Sequence, residues 1–99
     1  MAQFSVYRLA RRPGLVVDCQ AELLSHIDSR FVVPLVAREE APPPVRPLNP
    51  VFEIEGADYV MLTQSAAAVR TRDLGAEVAS LAERDREIVN ALDFLLTGV

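Results

Sequence analysis

The sequence predicts a mainly β fold with one C-terminal α-helix. Three observations carry this. Apolar stretches of strand length, several alternating with period two, recur through residues 1–76 between turn residues. The last quarter of the chain changes to a helical period. The whole amounts to 99 residues, room for one domain. The expected division is strands and turns over 1–76 and a helix over 80–96, within a single domain spanning 1–99.

Gln3–Leu9 alternates, with Phe4, Val6 and Leu9 set against Gln3, Ser5 and Arg8, and reads as a half-buried strand. Arg12-Pro13-Gly14 turns the chain, because Pro presets φ and Gly supplies a positive one. Leu15–Cys19 then returns as the second arm of a hairpin. A short stretch with the doublet Leu23-Leu24 follows, and Asp28-Ser29 turns again. Arg30–Ala37 is a continuous apolar run, the pattern of a strand covered on both faces. Pro34 inside it has no amide to give a ladder, which predicts an edge position or a bulge.

Glu39–Pro50 holds five prolines and predicts a stiff, extended surface loop. Val51–Ile54 and Tyr59–Leu62 flank Glu55-Gly56-Ala57-Asp58, a second hairpin. Ala66–Arg72 predicts a further strand anchored on Val69 and closed by Gly75. Ser80-Leu81-Ala82-Glu83 fits a capping box that would open the helix. Leu81, Ile88, Leu92 and Leu95 recur at helical spacing beside Ala91, while Asp85, Arg86, Glu87 and Asn90 take the water face. Gly98 stands where a glycine C-cap belongs.

Composition narrows the function classes. The net charge is −4, every basic residue is Arg, and the ten of them are scattered. An acidic chain without a basic run is a poor nucleic-acid binder by itself. A single cysteine, Cys19, allows no internal disulfide and fits a reducing compartment. No apolar run approaches the ~20 residues of a membrane span, and the N-terminus lacks a signal-peptide pattern. These features predict a cytoplasmic protein with no membrane association.

Chemistry-bearing residues are sparse. His26 is the only histidine, and nothing at metal-ligand spacing joins it to Cys19, so no metal and no cofactor is expected. Asp18 and Glu22 are neighbouring acids, but acid–base work needs burial that a sequence does not display. No glycine-rich phosphate loop occurs. No catalytic residue is expected, and the chain reads as acting by binding another protein. Its ending, Phe94-Leu95-Leu96-Thr97-Gly98-Val99, is apolar where helix ends are usually polar. Either that end docks on its own core or a dimer seam, or it stays exposed and engages a partner.

In order and spacing, the segments QFSVYR, LVVDCQAELL, RFVVPL, LNPVFEI, VMLTQSAAAV, LGAEVASL and NALDFLLTGV resemble the CcdB family of toxins over essentially the whole length. The resemblance implies a homodimer built on an SH3-like β-barrel with a C-terminal helix. It implies a type II toxin–antitoxin toxin that binds the A subunit of DNA gyrase and traps the cleaved-DNA complex. It also implies a CcdA-like antitoxin whose disordered C-terminal segment folds onto the toxin and frees gyrase.

Carried over by position, the gyrase surface comprises Leu23, Leu24, Asp93, Leu96, Thr97, Gly98 and Val99. Gly98 matches the family pattern, and Leu23, Leu24 and Val99 keep its aliphatic character. The family has Asn at the position of Asp93, Phe at that of Leu96 and Trp at that of Thr97. That Trp stacks on a gyrase arginine, a contact of ~1–2 kcal/mol when desolvated that threonine does not make. The antitoxin surface carried over comprises Tyr7 and Arg8 of the first strand and Pro43, Pro44, Val45 and Arg46 of the proline-rich loop. An acidic toxin suits an antitoxin segment rich in Arg or Lys. Two alternatives accompany this reading. One is a homologue confined to antitoxin binding and autoregulation. The other is an mRNA-cleaving toxin of the same barrel, for which Arg70, Thr71 and Asp73 supply the residue types.

Overall fold

The computed structural model describes residues 1–98. Seven strands, β1 (Ser5–Leu9), β2 (Leu15–Asp18), β3 (Ser29–Ala37), β4 (Val51–Ile54), β5 (Ala57–Met61), β6 (Ala67–Arg70) and β7 (Leu74–Ser80), precede one helix, α1 (Asp85–Thr97). All pair antiparallel, in the order β4-β5-β3-β2-β1-β7, with β6 pairing β3 off that path. The sheet curls into a half-barrel with the helix at its C-terminal end. This is the mainly β fold with a C-terminal helix that the patterning predicts. Arg8 of β1 reaches Glu55 at the β4–β5 turn at 3.1 Å, joining parts of the sheet that lie three strands apart.

The concave face holds the main core, where Val6, Val17, Val33, Phe52, Met61 and Ile88 meet. Each such side chain contributes roughly 1.5–3 kcal/mol by leaving water. A second, smaller cluster on the opposite face joins Tyr7, Val16 and Val32, with Leu9, Val69 and Leu74 against it. The middle of β3 is therefore covered on both sides, as its continuous apolar run requires.

Pro34 departs from expectation. β3 is an interior strand, paired with β2 on one side and with β6 and then β5 on the other. Pro34 falls in the break between those last two partners, where Val32 still faces Ala67 and Leu35 already faces Met61. Its carbonyl accepts from Leu62 N at 2.9 Å. The missing amide therefore sits where the ladder changes hands, and no edge or bulge is needed.

The segment from 74 to 80 is a strand that the sequence reading omitted. Gly75 does not end β6 but lies within β7, and a Cβ there would come within 3.1 Å of Arg8 O. The register of β1 on β7 shifts on both sides of Tyr7, and glycine at 75 spares the strands the small shift that a Cβ would force. Ser80 consequently ends a strand and opens no helix. Its Oγ accepts from Ala82 N at 3.2 Å, a 3-10 turn occupies Ala82–Arg84, and α1 starts at Asp85 with no side-chain cap. The expected capping box is not made, and the helix begins five residues later than its predicted start.

The remaining turns follow their chemistry. Glu55 (φ 53°) and Gly56 (φ 82°) both take left-handed backbone, the two-residue hairpin turn that matches strand twist. The proline-rich loop is exposed from Pro42 to Pro47 and is tied down at its end by Asn49. The Asn49 side chain accepts from Val45 N at 3.1 Å and donates to Met61 O at 3.0 Å and Gln64 Oε1 at 2.8 Å.

Candidate functional site

Helix α1 and its cap place Asp93, Leu96, Thr97 and Gly98 of the expected partner surface. Ile88 and Ala91 are fully buried and seat the helix on the core, with Leu92 packed beside them. Arg84, just before the helix, lies over the Phe52 ring at 4.8 Å from its centroid and makes a two-pronged hydrogen-bonded ion pair with Glu87. That bond holds the Glu87 carboxyl below its usual range, and Arg46 across the gap acts in the same direction. Arg46 and Pro47 of the loop face Arg84, Glu87 and Asn90 across a cavity of about 310 Å³. The loop and the helix thus share one groove.

At the other end of α1, Gly98 adopts φ 76° and its amide donates to Phe94 O at 2.8 Å, a left-handed cap open to glycine. Thr97 turns its hydroxyl back along the helix to Asp93 O at 2.7 Å. Leu96 stands 78% exposed, and Asp93, Thr97 and Gly98 are exposed with it. Of the described residues at that end, Leu95 and Leu96 point away from the chain's own core, while Phe94 is half-buried. Val99 lies outside the described residues.

Leu23 and Leu24 sit on a 3-10 turn, Glu22–Leu24, after β2. Both are exposed, Leu23 at 86%. The turn is held by Gln3 N donating to Glu22 Oε1 and by Gln20 Nε2 donating to Leu24 O. The six described residues of the gyrase set are therefore all at the surface, divided between this turn and the end of α1.

The antitoxin set divides differently. Arg8, Pro43, Pro44, Val45 and Arg46 are exposed. Tyr7 is buried in the second cluster and offers little surface. Burial, then Glu77 and Asp18, raise its hydroxyl pKa. Arg70, Thr71 and Asp73 do lie together, but each is engaged, within the turn or with Asp28 before β3. Asp73 Oδ2 accepts from Arg70 N, Thr71 Oγ1 donates to Asp28 O, and the Arg70 guanidinium lies 3.8 Å from Asp28. The trio works as a capped turn joining β6 to β7.

Residues 3–98 match the family model described as CcdB protein. The chain belongs to the CcdB family. Membership makes it a toxin of the toxin–antitoxin kind. Among the described residues no group of three or more His, Cys, Asp or Glu side chains is placed to hold a metal, and no helix is long and apolar enough to cross a membrane.

Two features of this CcdB-family chain escaped the sequence reading. Asp18, noted there beside Glu22, instead pairs with Arg30 inside the fold, while Glu22 is exposed. Asn49 anchors the proline-rich loop. Its signal was an asparagine between Leu48 and Pro50, a residue type that bonds nearby backbone.

Proposed function

We propose that this chain is a cytoplasmic, non-catalytic toxin that binds the A subunit of DNA gyrase and holds the enzyme on cleaved DNA. In this reading a CcdA-like antitoxin relieves it, and the working unit is a homodimer of the one-domain chain. The observation that supports it most is the exposed apolar end of α1. Leu96 is 78% exposed, and the helix closes two residues later on the left-handed cap at Gly98. Leu23 and Leu24 add a second apolar exposure. Such projecting aliphatics suit docking to a protein surface.

The test is gyrase-mediated DNA cleavage with gyrase from the source organism. Linear DNA should accumulate in the presence of ATP with the intact chain and not with a variant lacking Gly98-Val99. No cleavage at tens of micromolar toxin defeats the gyrase reading. Sedimentation equilibrium tests the dimer, and a monomer at micromolar concentration defeats it.

One observation favours a second reading, a homologue that only binds antitoxin. Thr97 returns its hydroxyl to Asp93 O and presents no aromatic face where the family has tryptophan. Antitoxin binding without any gyrase effect would decide for it.

A further inference from the structure

Two adjoining cavities, of about 670 and 210 Å³, share Val69 and Asp73 and form one trough on the face opposite the main core. Arg11 and Arg12 border it from the β1–β2 turn, Arg70 from the end of β6 and Arg72 from the turn that follows. All four are exposed. Asp28 and Asp73 are its only acidic lining residues. Four arginines against two aspartates make the trough cationic in a chain whose net charge is −4. Arg70 is matched to Asp28, while Arg11, Arg12 and Arg72 have no ion pair among the described residues.

The arginines stand on fixed backbone. Ala10 N donates to Asp73 O at 2.9 Å and Leu9 N to Gly14 O at 3.0 Å, so the hairpin tip and the β6–β7 turn are bonded to each other. Between the cations the lining is aliphatic, from Leu9, Ala68 and Val69. β6 pairs with β3 alone, on one edge.

We propose that this trough is a docking site for an extended acidic peptide segment in which carboxylates alternate with aliphatic side chains. The carboxylates meet the arginine forks, which match them two bonds at a time, and the aliphatic side chains cover Leu9 and Val69. A nucleic-acid strand fits less well. No aromatic residue lines the trough for bases to stack on, and the acidic remainder of the chain repels a polyphosphate. The site is opposite in sign to the molecule as a whole, and its lining includes no residue of the two surfaces described above.

The test is fluorescence anisotropy of the full chain with a labelled 12-residue peptide of alternating Glu/Asp and Leu/Val. A Gln/Asn version of that peptide and a single-stranded oligonucleotide of equal charge serve as comparison probes. Saturable binding of the acidic peptide, weakened roughly five- to tenfold in Arg11→Gln/Arg12→Gln and again in Arg72→Gln, is expected. Arg86→Gln, on the water face of α1, should bind as the parent does. All these side chains are exposed, so unchanged thermal melts are expected throughout. The proposal is overturned if the Gln/Asn peptide binds as well as the acidic one. It is also overturned if the oligonucleotide binds more tightly and displaces the peptide, or if Arg86→Gln weakens binding as much as the trough variants.

Discussion

Asp18 and Arg30 meet at 2.7 Å with neither side chain reaching solvent. Asp18 ends β2 opposite Val32, and Arg30 stands two residues along β3 on the same face, the diagonal neighbour in an antiparallel pair. Arg30 gives both Nε and Nη2 to Asp18 Oδ2, and Asp18 Oδ1 accepts from Gln20 N. Among the described residues, Arg30 Nη1 is buried without a hydrogen-bond partner. The pair is therefore well made on one side only. Removing one member should cost far more than removing both, because a lone buried charge has nothing to offset its desolvation. Asp18→Asn should lower unfolding stability by about 3–5 kcal/mol. Asp18→Leu with Arg30→Met should lie within about 1 kcal/mol of the parent or exceed it. Urea unfolding of the three chains checks this. Equal losses in the single and double variants would show that the pair matters for shape rather than charge.

Cys19 sits in the core, and burial pushes its thiol from the ordinary 9.0 up to about 12, with Asp18 adding to the effect. The folded state thus keeps the proton that the unfolded state gives up. The resulting stability is fully present below pH 9 and is lost as pH rises toward 12, by about 1.4 kcal/mol per pH unit. Tyr7, also raised by burial, acts in the same direction at somewhat higher pH. Unfolding curves from pH 8 to 11 should show a falling slope that Cys19→Val largely flattens. In the folded chain at pH 8 the thiol should resist iodoacetamide until denaturant is added.

The strands up to β6 and the single C-terminal helix were legible because period two and period 3.6 differ plainly in the sequence. The turns at Pro13-Gly14 and Glu55-Gly56 were legible because their residues have few other uses. β7 was not. LGAEVAS alternates poorly and only partly buries its side chains, so its strand character comes from pairing with β1, a tertiary relation. The helix start was misread because Ser80 has the chemistry of a cap while its backbone belongs to β7. The Asp18–Arg30 pair was hidden for a similar reason, since a charge at each end of two strands looks like two solvated ends until register places them on one face. The helix end reads as apolar in the sequence and its Leu96 is exposed in the fold, but Tyr7, polar at its tip, was not recognisable as buried.

The proline-rich loop depends on one side chain. Asn49 bonds Val45 N, Met61 O and Gln64 Oε1 from a site only 3% exposed. Asn49→Ala leaves Met61 O without that donor inside the fold and should cost about 1–3 kcal/mol. The Val45 amide should exchange with solvent much faster, while amides of β2 and β3 change only with global stability. Hydrogen exchange by NMR reads both. Unchanged exchange at Val45 would mean that proline stiffness alone holds the loop.

The last turn of α1 separates helix stability from partner binding. Thr97 is exposed at the helix end and its hydroxyl returns to Asp93 O within the last turn, so Thr97→Trp should leave the melting temperature within a few degrees of the parent. Gly98→Ala meets open space but must hold φ 76°, a strain of roughly 1–2 kcal/mol confined to the helix end. In gyrase cleavage assays the two should diverge. An aromatic face at position 97 offers the cation contact that threonine lacks, and a gain of ≥ 2 kcal/mol at an interface hot spot is roughly thirtyfold in the toxin concentration needed. Gly98→Ala should weaken cleavage, because a re-aimed terminus misplaces the residues that follow Leu96. A thirtyfold gain with Thr97→Trp from a weakly active parent would place the contact at the end of α1. Equal activity in all three chains would move the gyrase contact away from that end, toward Leu23 and Leu24.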